Sequence, residues 1–189
     1  MNPAEVKTWR KTQRERLIAL RMDMPASVRR DAGERIAGAV QGIIAGRPGI
    51  LGIYWPFRAE FDPRPLVDTL IAAGRKVALP VVVDKKGPLE YRAWAPGEPL
   101  VAGVWDIPIP EKRDVVAPSL VLAPVVGFDL DCYRLGYGGG YFDRTLGSLS
   151  PRPFAIGVGF AAQQIDTIYP QPFDVPMALI VTEGGVTRR

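Results

Sequence analysis

Apolar positions between residues 26 and 45 recur at three- and four-residue intervals, which predicts an amphipathic helix, and a start signal at the N-terminus predicts another helix before it. Asn2-Pro3-Ala4-Glu5 reads as the start of the first, with Asn2 as cap, proline in the first turn and glutamate three residues after the cap. That helix is expected to run to about Met22, and it carries Arg10, Lys11, Arg14, Arg16 and Arg21. Pro25-Ala26-Ser27 breaks the chain and opens a second helix to about Ala45, with Ile36, Ala39 or Val40, Ile43 and Ile44 at helical spacing and Gly46 as its stop. From residue 50 the pattern changes to short apolar runs. Ile50 to Tyr54 predicts a buried strand, Pro65 to Ala73 a short helix closed by Gly74, and Lys76 to Val82 and Leu89 to Trp94 two more strands, with a turn signal at Lys85-Lys86-Gly87. The proline-rich stretch from Pro96 to Ala117 reads mostly as surface loop. Leu120 to Val126 is the central strand, Phe142 to Leu149 can be helical, and Phe154 to Phe160 and Leu179 to Val181 finish the sheet. Alternating strands and helices predict an α/β, Rossmann-like fold. Its largely parallel central sheet carries helices on both faces of a single domain, residues 1–189, with the helical segment 1–46 packed on the α/β core.

Composition narrows the chemistry. The chain has no histidine, which excludes histidine bases, histidine metal ligands and any Ser-His-Asp triad. Carboxylates, arginines, backbone dipoles and a bound metal remain. The net charge of +4 suits anionic small molecules, with nucleic acid as the rival reading. One cysteine, Cys132, allows no internal disulfide and suits a reducing cytoplasm, and no apolar run approaches the length of a membrane span.

The densest chemistry lies in Arg134-Leu135-Gly136-Tyr137-Gly138-Gly139-Gly140-Tyr141-Phe142-Asp143-Arg144, between the central strand and the following helix. A glycine-rich loop there can point backbone N–H groups at an anion, and the helix N-terminus adds its positive end. Arg134 offers a forked donor for phosphate, and Asp143 a hard oxygen for a magnesium ion beside it. It is neither a Walker A loop nor the dinucleotide fingerprint, since Tyr141 stands where the last fingerprint glycine belongs. From chemistry alone the alternative is a tight strand-to-helix turn that needs positive φ. Arg10 and Arg14, four apart, share a helix face that is either a phosphate clamp or a solvated basic surface. Glu60 follows the first strand, where open α/β sheets bind ligands.

Phe128-Asp129, followed at Arg134 by the arginine-glycine-tyrosine string through Asp143, resembles the signature of the 5-formyltetrahydrofolate cyclo-ligase family, also called methenyltetrahydrofolate synthetase. The resemblance extends to residues 10–25 and 50–65 and thins at 165–183. It implies that ATP phosphorylates the formyl oxygen of 5-formyltetrahydrofolate. Nitrogen 10 then attacks the activated carbon, and 5,10-methenyltetrahydrofolate, ADP and phosphate result. It also implies the residue roles. Arg134 and Tyr141 are catalytic. Arg10, Arg14 and the stretch Arg134, Leu135, Gly136, Tyr137, Gly138, Gly139, Gly140, Tyr141 and Phe142 bind ATP. Glu60, Tyr137, Gly138, Gly139, Gly140 and Tyr141 contact the folate, and Asp143 and Asp174 serve magnesium. A cytoplasmic monomer acting on a reduced folate and ATP, without nucleic acid or membrane, is the expectation that follows.

This chain departs from the family pattern at several positions. Arg10 stands for the usual lysine, Cys132 for a glycine, Phe142 for a second tyrosine, Phe173 for a frequent histidine and Ala178 for a frequent aspartate. Two alternatives stay open. One is a paralogue that uses ATP on another heterocycle. The other is a non-enzymatic nucleic-acid or regulatory module built on the basic first helix.

Overall fold

In the computed structural model, which describes residues 1–189, the first helix begins with the reciprocal cap that its sequence predicts. Asn2 Oδ1 accepts the amides of Ala4 and Glu5, each at 3.0 Å, and Glu5 Oε2 accepts the Asn2 N–H at 2.7 Å. Such a box satisfies donors that a helix start leaves without partners. Helix α1 spans Pro3–Met22 and α2 spans Ala26–Ile44. Ala32, Ile36, Val40 and Ile44 are the buried positions of α2, a four-residue repeat that forms one apolar face. The residue that caps α2 is Ala45 in a right-handed conformation, so Gly46 does not act as a left-handed stop.

Strand β1 is Leu51–Gly52, helix α3 is Pro65–Ala72, and β2 and β3 are Val77–Val81 and Glu90–Ala93. Strands β4 and β5 are Leu100–Ala102 and Pro108–Pro110; β6 is Leu120–Pro124; β7 and β8 are Gly127–Phe128 and Arg134–Leu135. Helix α4 is Tyr141–Ser148, followed by β9 (Phe154–Val158), β10 (Leu179–Thr182) and β11 (Gly185–Arg188). Seven of the strands form one sheet in the order β11-β10-β9-β6-β1-β2-β3. The neighbours from β10 to β2 pair in parallel, and antiparallel β11 and β3 close the edges.

Three further expectations need correction. The stretch 96–117 is not mostly loop, because β4 and β5 form a hairpin in it. Pro108 and Pro110 hid it, yet proline is tolerated in edge strands, where its missing N–H costs no ladder bond. The segment leading to the glycine loop is a second hairpin, β7–β8, with arms too short to show a period. The sheet also gains β11, joined to β10 by the Glu183-Gly184 turn, with Thr182 opposite Gly185.

The two sheet faces carry unequal cores. Helices α2 and α3 cover one face with a cluster of 21 buried residues, and α4 covers the other with Leu146 in a cluster of 11. Helix α1 lies across the carboxyl ends of the strands, against β7 and the short helical turn Ala161–Gln163 that follows β9. No helix is long and apolar enough to cross a membrane. The chain lays down β1 and β2 in one direction and β6, β9 and β10 in the other. Adjacent β1 and β6 therefore form the topological switch point, where the outgoing loops diverge and leave a crevice.

Candidate active site at the switch point

A cavity of about 450 Å³ opens at that crevice, a size that suits a small molecule. Every residue from Arg134 to Asp143 lines it, as do Arg10, Arg14, Glu60 and Asp174. Residues from α1, the loop after β1, the glycine loop and the chain before β10 thus meet in one place.

The glycine loop shapes one wall. Gly138 and Gly140 have φ of 99° and 66°, a left-handed conformation that side chains rarely adopt. Gly140 is also the cap residue of α4, so the helix N-terminus faces the cavity. Tyr141, the first residue of α4, stacks its ring under Arg144 at 5.0 Å and edge-on to Trp105 at 6.1 Å.

The arginines and aspartates form two pairs. Arg134 Nη2 donates to Asp143 Oδ2 at 3.3 Å, and its guanidinium lies 4.8 Å from the Phe142 ring centre. Arg134 Nε is buried and has no partner in the protein. A buried donor left unmatched costs about 1–3 kcal/mol, which makes Arg134 a candidate for pairing with a ligand oxygen. Asp143 Oδ1 accepts the Val175 amide at 3.2 Å. Arg10 makes a buried, two-pronged pair with Asp174, and its remaining donors hold the carbonyls of Ile168 at 2.9 Å and Tyr169 at 3.0 Å. Arg14 donates from Nε to the Gly136 carbonyl at 2.7 Å, which leaves its two terminal nitrogens on the cavity side. Burial lowers the Arg14 pKa from its ordinary value, the charge of Arg10 lowers it further, and Asp174 opposes both. Arg10 and Arg14 therefore face inward. The solvated basic surface that would serve a nucleic acid loses its two central members.

Glu60 forms the other end. Its Oε2 accepts the Phe57 amide at 2.9 Å, while Oε1 is buried without a hydrogen-bond partner. Arg21 Nη2 comes no closer to Oε1 than 4.0 Å. Burial pushes the Glu60 carboxyl up to about 7, against the opposing pull of Arg21, the Phe57 amide, Tyr137 and Arg134. The Tyr137 hydroxyl accepts from Arg21 Nη2 at 2.7 Å. Its ring meets that of Phe57 edge-on at 5.9 Å, which gives this end an aromatic wall.

Trp105 and Arg21 escape sequence reasoning, whereas Phe173 already stands out there as a departure from the family pattern. Trp105 lies at the tip of the β4–β5 hairpin with φ of 57°, and Phe173 sits at the rim, 69% exposed. Arg21 is 1% exposed and sits behind Glu60 and Tyr137. A signal for Arg21 existed. The buried stripe of α1 is Val6, Arg10, Leu17 and Arg21, and charges at stripe positions are informative because buried arginines need partners.

Magnesium, which the family resemblance implies, meets a partial donor set. No group of three or more acidic, histidine or cysteine residues converges here. Asp174 has both oxygens engaged by Arg10 and the Gln171 amide. Asp143 also has both oxygens engaged, by Arg134 at 3.3 Å and the Val175 amide at 3.2 Å, but these contacts are longer and its side chain, 17% exposed, sits on the cavity wall. One carboxylate fits a magnesium ion that takes its other ligands from phosphate and water, as magnesium commonly does.

A doubly wound sheet with a glycine-lined, arginine-rich cavity at its switch point defines an α/β ligand-binding fold. Comparison with known proteins makes the class specific. The profile of the 5-formyltetrahydrofolate cyclo-ligase family matches residues 6–183. A 5-formyltetrahydrofolate cyclo-ligase of Mycolicibacterium smegmatis is 31% identical over 178 residues, 89% of this chain and 91% of that protein. One from Escherichia coli K12 is 31% identical over 143 residues, 72% of this chain and 79% of the relative. The solution structure of Aquifex aeolicus 5,10-methenyltetrahydrofolate synthetase superposes with a TM-score of 0.83 at 24% identity, over 95% of this chain and 92% of that one. The chain belongs to the 5-formyltetrahydrofolate cyclo-ligase family, a family of ligases.

Proposed function

We propose that this protein closes the ring of 5-formyltetrahydrofolate to 5,10-methenyltetrahydrofolate, using ATP and magnesium and releasing ADP and phosphate. The observation that carries this reading is the polarity of the cavity: an unpartnered arginine N–H at one end and an unpartnered buried carboxyl oxygen at the other. A nucleotide phosphate answers the first. The amino-pyrimidinone edge of a reduced pterin, rich in N–H donors, answers the second.

In this reading Arg134 and Arg14 receive the phosphate oxygens, together with the amides of the glycine loop and the N-terminus of α4. Arg10 adds a third charge that it shares with Asp174. Asp143 is the residue that would hold a magnesium ion, which when bound would supply charge neutralisation. Glu60 accepts the pterin donors, while Tyr137 and Tyr141 flank the ring system. The formyl oxygen attacks the γ-phosphorus and ADP departs. Nitrogen 10 then bonds to the activated formyl carbon, loses its proton, and phosphate leaves with the former formyl oxygen. Arg134 and Tyr141 line the space where these atoms meet, and Arg134 offsets the charge that builds on the transferred phosphoryl group. No protein nucleophile is needed, which agrees with a chain that has no histidine. As a reaction between two dissolved substrates, it needs neither a membrane nor a second subunit; the proposed active form is a cytoplasmic monomer.

The test is turnover of 5-formyltetrahydrofolate with magnesium ATP, followed by the near-ultraviolet absorbance of the methenyl product. ATP-dependent product is expected, and none without ATP. Folded protein that binds ATP and yields no product would sink the folate assignment and leave a paralogue acting on another heterocycle.

A further inference from the structure

Arg21 is one of the largest fully buried side chains in the molecule, and no step above uses it. It does not line the cavity; Glu60 and Tyr137, which do, stand in front of it. Its guanidinium joins three segments that leave the switch point. Nε donates to the Arg58 carbonyl at 3.0 Å, in the loop after β1. Nη1 donates to the Val125 carbonyl at 3.2 Å, just past β6. Nη2 donates to the Tyr137 hydroxyl at 2.7 Å, in the glycine loop, and lies 4.0 Å from Glu60 Oε1. A buried arginine with several fixed acceptors is a rigid fork, and a lysine cannot reproduce that geometry.

We propose that Arg21 is a positioning residue of this site: it aims Tyr137, holds the Glu60 loop in register with the glycine loop, and supplies the counter-charge of Glu60, all without touching a ligand.

Two features of the geometry support this. The acceptors of Arg21 lie 37, 104 and 116 residues away along the chain, so one side chain ties together walls that no secondary structure joins. The 4.0 Å gap to Glu60 is too long for a hydrogen bond but short enough for strong attraction in a buried site. Glu60 thus keeps a free oxygen for a ligand while its charge is supported from behind. Other groups that bear on Glu60 are Arg134 on β8, the Tyr137 hydroxyl, the buried Tyr54 that follows β1, and the Phe57 amide of its own loop. Of these only Arg21 and Arg134 carry positive charge, and Arg21 exerts the larger effect.

The proposal takes Glu60 to face the reduced folate, and so rests on the function proposed above. The test separates the two. Wild type, R21Q and R21K are labelled with carbon-13 at the glutamate carboxyl, with E60Q to assign the signal, and Glu60 is titrated by NMR without ligand. Removing an opposite charge at this range moves a carboxyl upward by about one pH unit or more, so that shift is expected in R21Q, with R21K closer to wild type. Equal midpoints in wild type and R21Q overturn the proposal, whatever the substrate. If R21Q does not fold, R21K decides: its KM for 5-formyltetrahydrofolate is expected to rise about tenfold with kcat changed less than about threefold, since the fork that aims Tyr137 is lost while the charge remains. An unchanged KM in R21K overturns the proposal. Wild type that never turns over folate refutes the substrate reading, and the titration then decides the role of Arg21 by itself.

Discussion

The two ends of the cavity handle charge in opposite ways. At the glycine-loop end each carboxylate already has an arginine: Asp143 has Arg134, and Asp174 has Arg10. Arg14 is left with its two terminal nitrogens unengaged, so that end carries a net positive charge held on fixed donors. At the Glu60 end a carboxyl is buried with one oxygen unmatched, and its arginine stands back at 4.0 Å. The first arrangement is prepared for an anion. The second is prepared for a neutral group that donates hydrogen bonds. The difference teaches that one crevice offers two unlike environments when charge pairs are closed at one end and left open at the other.

The strongest way to break this comparison is at Arg134. Arg134→Ala is expected to lower kcat/KM about 100-fold or more, the scale for losing a donor aimed at developing charge. Steady-state kinetics with ATP varied checks it; full activity would remove the glycine loop from phosphate binding. Asp174→Ala tests whether the neighbouring pair is structural. It leaves Arg10 charged, buried and unpaired, a loss of about 3 kcal/mol that urea unfolding would show. A stability within about 0.5 kcal/mol of wild type would mean that Arg10 finds another partner, since ordinary surface changes have effects that small.

At the opposite end, Glu60→Gln is expected to raise the folate KM about tenfold, the scale of one charged hydrogen bond, and to leave ATP binding alone. The pH dependence has a definite sign. The free carboxyl titrates near 7, and donors of a pterin prefer it ionised, so folate affinity falls as pH drops below 7 in wild type and stays flat in the glutamine variant. Stability moves the other way. A carboxyl raised from the ordinary glutamate range to about 7 loses stability for the fold as pH rises through that interval, so the glutamine variant gains on wild type from about pH 4.5 upward and most fully above 7. Paired melts across this range measure it, and a constant difference would mean that Glu60 is not shifted.

The smallest effect is expected at Cys132, on the far side of the glycine-loop hairpin. Its φ is 62° and its side chain is buried. Cys132→Gly removes the left-handed penalty and also the packed thiol, terms of about 1 kcal/mol each and opposite sign, so unfolding free energy is expected within about 1 kcal/mol of wild type. A larger loss would show that the thiol, not the backbone, maintains the hairpin that carries Arg134.

Much of the fold was legible in the chain because its signals are local. The cap at Asn2, the four-residue stripe of α2, the short apolar runs of the parallel strands and the glycines before α4 all act within a few residues. The hairpin β4–β5 was not legible, because its prolines mimic a loop. The absence of histidine likewise limits the chemistry to arginines, carboxylates and a metal, whatever the fold. Only the tertiary structure decided what those groups do to one another. Arg10 meets Asp174 across 164 residues, and Arg21 meets Tyr137 across 116. The sheet order brings β1 beside β6, and burial between their loops lifts the Glu60 carboxyl. Charge pairing and desolvation depend on distance and on exclusion of water, and neither follows from spacing along the chain.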